Sequence, residues 1–194
     1  MKGIIREGEQ KKRNLAGKQE VVSAATLDAL PKFKNAREIM KWVKANIKYK
    51  SDLKLHGERN YWQTPEETVA LRAGDCEDYA FLVQALLKRI NIESFVISVH
   101  GEGISKQLGH ALCVFPKNSP TNYFDNQALY TSGTHVVNLI SSAYPLWQRM
   151  YILDLDSRTK KQVMQRSGPS ISKVDEAKNG GLLKAFLGEW YGKF

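Results

Sequence analysis

Three reactive side chains stand in an order that suits nucleophilic chemistry: Cys76, then His110, then Asp125. A thiol attacks carbonyl carbon only as thiolate, and a helix N-terminus favours that anion through its free N–H groups and partial positive charge. Cys76 has such an address, because Gly74 is expected to break one helix and Asp75 to cap the next. His110 falls on an expected strand downstream, with Gly109 leaving room beside it, and is the candidate base. Asp125, on the strand after that, would accept the other ring N–H and hold the tautomer and orientation of His110.

The groups around Cys76 raise an electrostatic difficulty. Asp75, Glu77 and Asp78 put three negative charges within one turn of it, and like charge raises a thiol pKa. Two readings of them stand. In one, Asp75 caps the helix while Glu77 and Asp78 complement its dipole. In the other, Asp75 and Glu77 bind calcium together with backbone carbonyls, and the ion offsets the cluster. For an oxyanion, the candidate donors are the Cys76 backbone N–H and a side chain upstream, Gln63 ahead of Trp62. The second cysteine, Cys113, alternates away from His110 along its strand, which assigns it to packing and argues against zinc held by Cys76, His110 and Cys113. His56 and His100 are expected at the surface, His135 has no chemical company, and Tyr79 is expected in the core.

The elements that must position these groups follow from periodicity. A helix is predicted from about Asn35 to Tyr49, capped by Asn35, with Ile39, Trp42, Val43 and Ile47 on one face. Thr64 and Pro65 open a short helix that runs to about Arg72. The Cys76 helix shows an apolar face of Phe81, Leu82, Ala85, Leu86 and Ile90. Strands are predicted over 92–100 and 108–116, joined through the Gly101-Glu102-Gly103 turn region, then over 122–126 and 150–155.

The runs Trp62-Gln63-Thr64-Pro65-Glu66-Glu67, Gly74-Asp75-Cys76-Glu77-Asp78-Tyr79-Ala80, Gly109-His110-Ala111 and Phe124-Asp125-Asn126 together resemble the signature of the transglutaminase-like superfamily. The branch they are most similar to is that of the bacterial transglutaminase-like cysteine proteases, and the match covers roughly residues 35–155. The resemblance implies an α+β, papain-like core in which a catalytic helix packs on an antiparallel β-sheet. It implies Cys76 as nucleophile, His110 as base and Asp125 as orienting group, acting on a polypeptide substrate without a required cofactor. The branch includes calcium-dependent proteases. The activity expected is therefore that of a cysteine hydrolase forming an acyl-thioester. Transfer of the acyl group to an amine shares the first half-reaction, and a non-catalytic interaction module retaining the fold is the reading from another class.

Composition sets outer bounds. The chain has 194 residues, 42% of them hydrophobic, which suits one domain with a core and tails. Two cysteines exclude a disulfide scaffold. The 29 Lys and Arg against 20 Asp and Glu give a net charge of +9, concentrated at the two ends around an acidic middle, without the aromatic interleaving of a nucleic-acid readout module. Nucleic acid is not an expected partner. The organisation predicted is a polar arm over 1–22, a catalytic domain over 23–160, and a linker with an amphipathic C-terminal helix over 161–194. Leu182, Leu183, Phe186, Leu187, Trp190 and Tyr191 would share one face of that helix, and residues 182–194 are expected to dock on protein. No membrane span and no secretory signal are read, so the expected compartment is cytoplasmic.

Overall fold

In the computed structural model the described residues are 27–101, 108–116, 121–132, 138, 140, 144 and 147–165. The expected N-terminal arm, the turn at 102–103, His135 and the C-terminal linker and helix lie outside them.

A short 3-10 turn at Leu27–Ala29 precedes α1 (Ala36–Asn46), whose cap is Asn35: its Oδ1 accepts the Glu38 N–H at 3.0 Å. Ile39 and Val43 on its inner face are fully buried. The helix stops three residues short of Tyr49 because Lys48–Tyr49 form β1, a parallel pair with β2 (Ala73–Gly74). Lys48 N–H donates to the Arg72 carbonyl and Lys50 N–H to the Gly74 carbonyl, each at 2.9 Å. That pairing joins segments far apart in sequence, so local periodicity had no means of announcing it. A further short helix, α2 (Asp52–His56), was likewise unannounced.

Helix α3 (Pro65–Leu71) forms as the sequence predicts. Thr64 Oγ1 accepts the Glu67 N–H at 3.2 Å, the Glu67 carboxylate accepts the Thr64 N–H at 2.7 Å, and Pro65 fills the first turn. Its end corrects the expectation at Gly74. The chain turns at Arg72, which takes the left-handed conformation at φ +50, and Gly74 lies beyond it in β2. Gly74 is needed for closeness instead: a Cβ there would stand 2.6 Å from Asp78 Cβ and 2.8 Å from its Oδ2. Two residues on, α4 (Cys76–Lys88) begins.

Six described strands form one antiparallel sheet: β3 (Phe95–Gly101), β4 (Leu108–Pro116), β5 (Thr121–Asp125), β6 (Ala128–Ser132), β7 (Trp147–Asp154) and β8 (Thr159–Gln165), in the spatial order β6-β5-β4-β3-β7-β8. Strands β6 and β8 were not predicted, and β8 carries the sheet beyond the boundary expected at 160. The sheet is buried on both faces, which is why β3 reads as a nearly continuous apolar run. Val96, Ala111, Cys113, Phe115 and Phe124 face α1 and α4 in one core, while Ile97, Val99, Leu112 and Val114 join Ile140, Trp147 and Met150 in a second. The fold is thus α+β, a helix carrying Cys76 packed on an antiparallel sheet in the papain-like manner.

Because α4 can approach β2 only where no side chain intervenes, Gly74→Ala is expected to cost about 2 kcal/mol or more. Gly57→Ala, at φ +74 but with nothing within 4 Å of the added methyl, is expected to cost only about 1 kcal/mol. Urea denaturation of both variants checks the order; a smaller loss at position 74 would remove close approach as the reason for that glycine.

Candidate active site

Cys76 opens α4 and is buried, 9% exposed. What fixes the start of that helix is Asp78. Its Oδ1 accepts the Gln63 N–H at 2.8 Å, and its Oδ2 accepts Gln63 Nε2–H at 2.5 Å and the Asp75 N–H at 3.0 Å. Asp78 and Gln63 are both wholly buried. The reading of Asp78 as a simple complement to the helix dipole therefore understates it. Gln63, expected as an oxyanion donor, gives one amide N–H to Asp78 and so helps hold the helix that bears Cys76. Trp62 packs its ring on Phe81, centroids 5.4 Å apart, while its carbonyl accepts a hydrogen bond from Arg158 Nη1.

His110 and Asp125 meet directly, with Nε2 2.7 Å from Oδ1 and both side chains about a quarter exposed. The contact follows from register. Cys113 pairs with Phe124, so alternation places Asp125 on the same face as Leu112 and His110. With the Nε2 proton given to Asp125, Nδ1 is the nitrogen left with base capacity. Burial alone would raise the Asp125 pKa, but hydrogen bonds from His110 and Tyr144 outweigh it and hold the carboxyl below its ordinary range.

The imidazole stands on the second-core face, whereas α4 covers the other face. Strand β5 pairs with β4 from Cys113 onward, leaving Ala111 outside the described β4–β5 ladder, and the Ala111 backbone lies near enough to Cys76 to favour the thiolate. Cys76 is therefore placed near the residue next to His110 on the strand. In the geometry described, the thiol donates to Glu77 Oε2 at 3.0 Å.

The surroundings oppose ionisation of that thiol. Burial pushes its pKa well above the ordinary range, the Glu77 charge and hydrogen bond add to the effect, then Asp75, and only the Ala111 N–H works the other way. Asp75 itself is pushed up to about 9 by burial and by the charges of Glu77, Asp78 and Asp52. Asp78, despite its amide donors, is pushed up to about 7, chiefly by burial. Carboxylate oxygens of Asp52, Asp75 and Asp78 lie within 4.8 Å of one another, as do ligand atoms of Asp75, Cys76 and Glu77. Among the described residues the buried Oδ1 of Asp75 has no hydrogen-bond partner. An all-oxygen set of repelling carboxylates with an unused acceptor fits a hard divalent cation such as calcium.

The remaining sequence candidates fall as follows. Cys113 is wholly buried in the first core and its thiol is pushed up to about 12 by burial, which agrees with packing. Tyr79 is core, its hydroxyl donating to the Ile47 carbonyl at 2.7 Å. His56 and His100 are not simple surface groups: His56 packs on Tyr61 at 4.3 Å, and His100 lies 2.5 Å from Ser98 Oγ and edge-on to Tyr151. Sequence reasoning missed Asp52, buried and accepting the Tyr61 N–H at 2.6 Å, and it missed Tyr144. Asp52 sits beside Asp75 only through the β1–β2 pairing, and Tyr144 had no local motif to mark it.

This combination of helix, sheet and strand-borne histidine defines a class, the papain-like α+β proteins. The particular family follows from comparison with known chains. A family model described as a transglutaminase-like domain matches residues 21–143, and the chain belongs to that family. It is 36% identical over 67 residues to a UPF0252 protein of Archaeoglobus fulgidus, covering 34% of this chain and 21% of that one. It is 34% identical over 96 residues to UPF0252 protein MJ1282 of Methanocaldococcus jannaschii, covering 45% and 27%. The match thus spans roughly a quarter of the length of these curated relatives. Among solved structures it is similar to calcium-bound LapG of Legionella pneumophila, at 16% identity over 90% of each chain and a TM-score of 0.43. No helix among the described residues is long and apolar enough to cross a membrane.

The depressed pKa of Asp125 predicts a pH signature. Its folded value lies below the unfolded one, about 3.9, so the stabilisation is present above about pH 4 and is lost as pH falls through the folded value. Asp125→Asn is expected to be less stable than wild type at pH 6, and the gap is expected to close on acidification below about pH 3. Denaturant titrations across that range check it; a gap independent of pH would show that the His110–Asp125 pair contributes nothing through ionisation.

Proposed function

We propose that the protein is a cysteine hydrolase cleaving a peptide or side-chain amide bond of a polypeptide substrate. The observation that carries this reading is the 2.7 Å contact of Asp125 with His110, on the strand whose next residue, Ala111, has its backbone near Cys76. Membership of the transglutaminase-like family supports it. In the reaction the Cys76 thiol leaves Glu77 and gives its proton to Nδ1 of His110 as sulfur attacks the carbonyl carbon. The tetrahedral intermediate collapses to an acyl-thioester when His110 returns that proton to the leaving amine. Water, deprotonated by His110, then releases the acid and regenerates the thiol. Asp125 keeps the imidazole in the required tautomer and stabilises its cationic form. The Cys76 backbone N–H at the start of α4 is available to the oxyanion, with Gln63 supporting the helix behind it and Trp62 bounding the same side.

Calcium belongs to the same proposal. Asp75 and Glu77 would hold it, with Asp52 close by, and a bound ion supplies positive charge that offsets the carboxylates beside the thiol.

Alkylation by iodoacetamide tests the nucleophile without a known substrate. Cys76 is expected to react at neutral pH and Cys113 to be spared. Cys76→Ala should abolish labelling while leaving the fold intact, and His110→Ala is expected to slow it by about a hundredfold. A Cys76 no more reactive than an unstructured thiol, and indifferent to His110, would refute the hydrolase. Calcium is expected to speed alkylation and EGTA to reverse the gain, whereas Asp75→Asn should abolish that response. No calorimetric binding of calcium to the chelated protein would eliminate the ion's part and leave the triad standing.

A further inference from the structure

The carboxylate of Asp125 has two oxygens and only one of them serves His110. The other, Oδ2, accepts a hydrogen bond from the Tyr144 hydroxyl at 2.8 Å. The Tyr144 ring also lies against the imidazole, centroids 5.5 Å apart and planes inclined by 43°. One side chain thus touches both members of the pair, gripping the carboxylate with its hydroxyl and covering the imidazole with its ring.

The backbone shows that this tyrosine is held in place. Its N–H donates to the Ile140 carbonyl at 2.8 Å, and its own carbonyl accepts the Trp147 N–H at 3.0 Å. Ile140 and Trp147 are both plugged into the second core, 0% and 3% exposed. Tyr144 is therefore suspended between two anchored residues directly over the His110–Asp125 pair.

We infer that Tyr144 is a positioning residue that locks Asp125 in the rotamer serving His110 and sets the basicity of the imidazole. This rests on the hydrolase reading above for its catalytic meaning, though not for its geometry. A carboxylate held by a single hydrogen bond can swing about its χ angles, whereas two donors on opposite oxygens fix its plane. The second donor also withdraws charge from the carboxylate, so the imidazolium it faces is less stabilised than it would be by an undivided partner. Burial and the neighbouring Asp125 keep Tyr144 protonated, and hence a donor, throughout the neutral range. The other ionisable groups of the described residues around the pair are Tyr123 of β5, Tyr130 of β6 and, past Ala111, Cys76. Burial and their neighbours raise the pKa values of Tyr123 and Cys76, so neither carries charge near neutrality.

The decisive measurement is the NMR titration of His110, made in a Cys76→Ala background so that it requires no turnover. Tyr144→Phe keeps the ring and removes the donor, and is expected to raise the His110 pKa by about half a unit. Replacement of Tyr144 by 3-fluorotyrosine, a stronger donor of the same shape, is expected to shift it the other way. A tyrosine that merely fills space would move neither value, and equal pKa values in all three proteins would overturn the inference. Opposite shifts from the two replacements cannot arise from loss of folding, so a poorly folded Phe variant leaves the fluorotyrosine as the test. Asp125→Asn separates this from the parent reading: if His110 titrates unchanged in that variant, the pair itself is uncoupled and the triad falls, whatever Tyr144 does. With Cys76 restored, Tyr144→Phe is expected to lower the iodoacetamide rate several-fold and to move its acid limb upward with the His110 pKa.

Discussion

A carboxylate taken out of water must be met by donors or give up its charge, and Asp78 is the point at which this chain satisfies that demand. Three N–H groups converge on it, two from Gln63 and one from Asp75, and they come from segments on either side of α3. The arrangement is a lock on the first turn of α4. Gly74 must lack a side chain for Asp78 to reach its donors, Gln63 must be buried to supply two of them, and Cys76 is carried to the edge of β4 as a consequence. Removing Asp78 would leave those donors without a partner in a closed interior, so the position of Cys76 and the stability of the helix are one property.

The sheet imposes a second constraint on the first. Both of its faces carry a core, one shared with α1 and α4 and the other with Ile140 and Tyr144, and side chains along β4 alternate strictly between the two cores. A histidine next to Ala111 must then point away from the helix that brings the cysteine. Among the described residues the β4–β5 ladder begins at Cys113 and does not include Ala111.

The charge environment works against ionisation of Cys76. Burial and the adjacent carboxylates hold the thiol in its protonated form, and Glu77 takes its hydrogen bond. Cys76 at rest is thus the opposite of an exposed, activated thiolate, despite its helix N-terminus. The carboxylates that oppose its ionisation are also the ones whose oxygens converge within 4.8 Å of one another.

Much of this was legible in one dimension. The caps at Asn35 and Thr64, the start of α4, the strand of His110 and the alternation that sends Cys113 to the core all follow from neighbours within a few residues, because local hydrogen bonds and side-chain periodicity determine them. Contacts between distant segments were not legible. The β1–β2 pair that ends α1 early and brings Asp52 to Asp75, the bond between Gln63 and Asp78, and the arrival of Tyr144 on Asp125 each join residues whose separation in sequence carries no signal. Residue type and spacing determined which groups could react; only the packed structure decided which hydrogen-bond partner each would take, since a buried polar atom bonds to whatever the fold brings within about 3 Å.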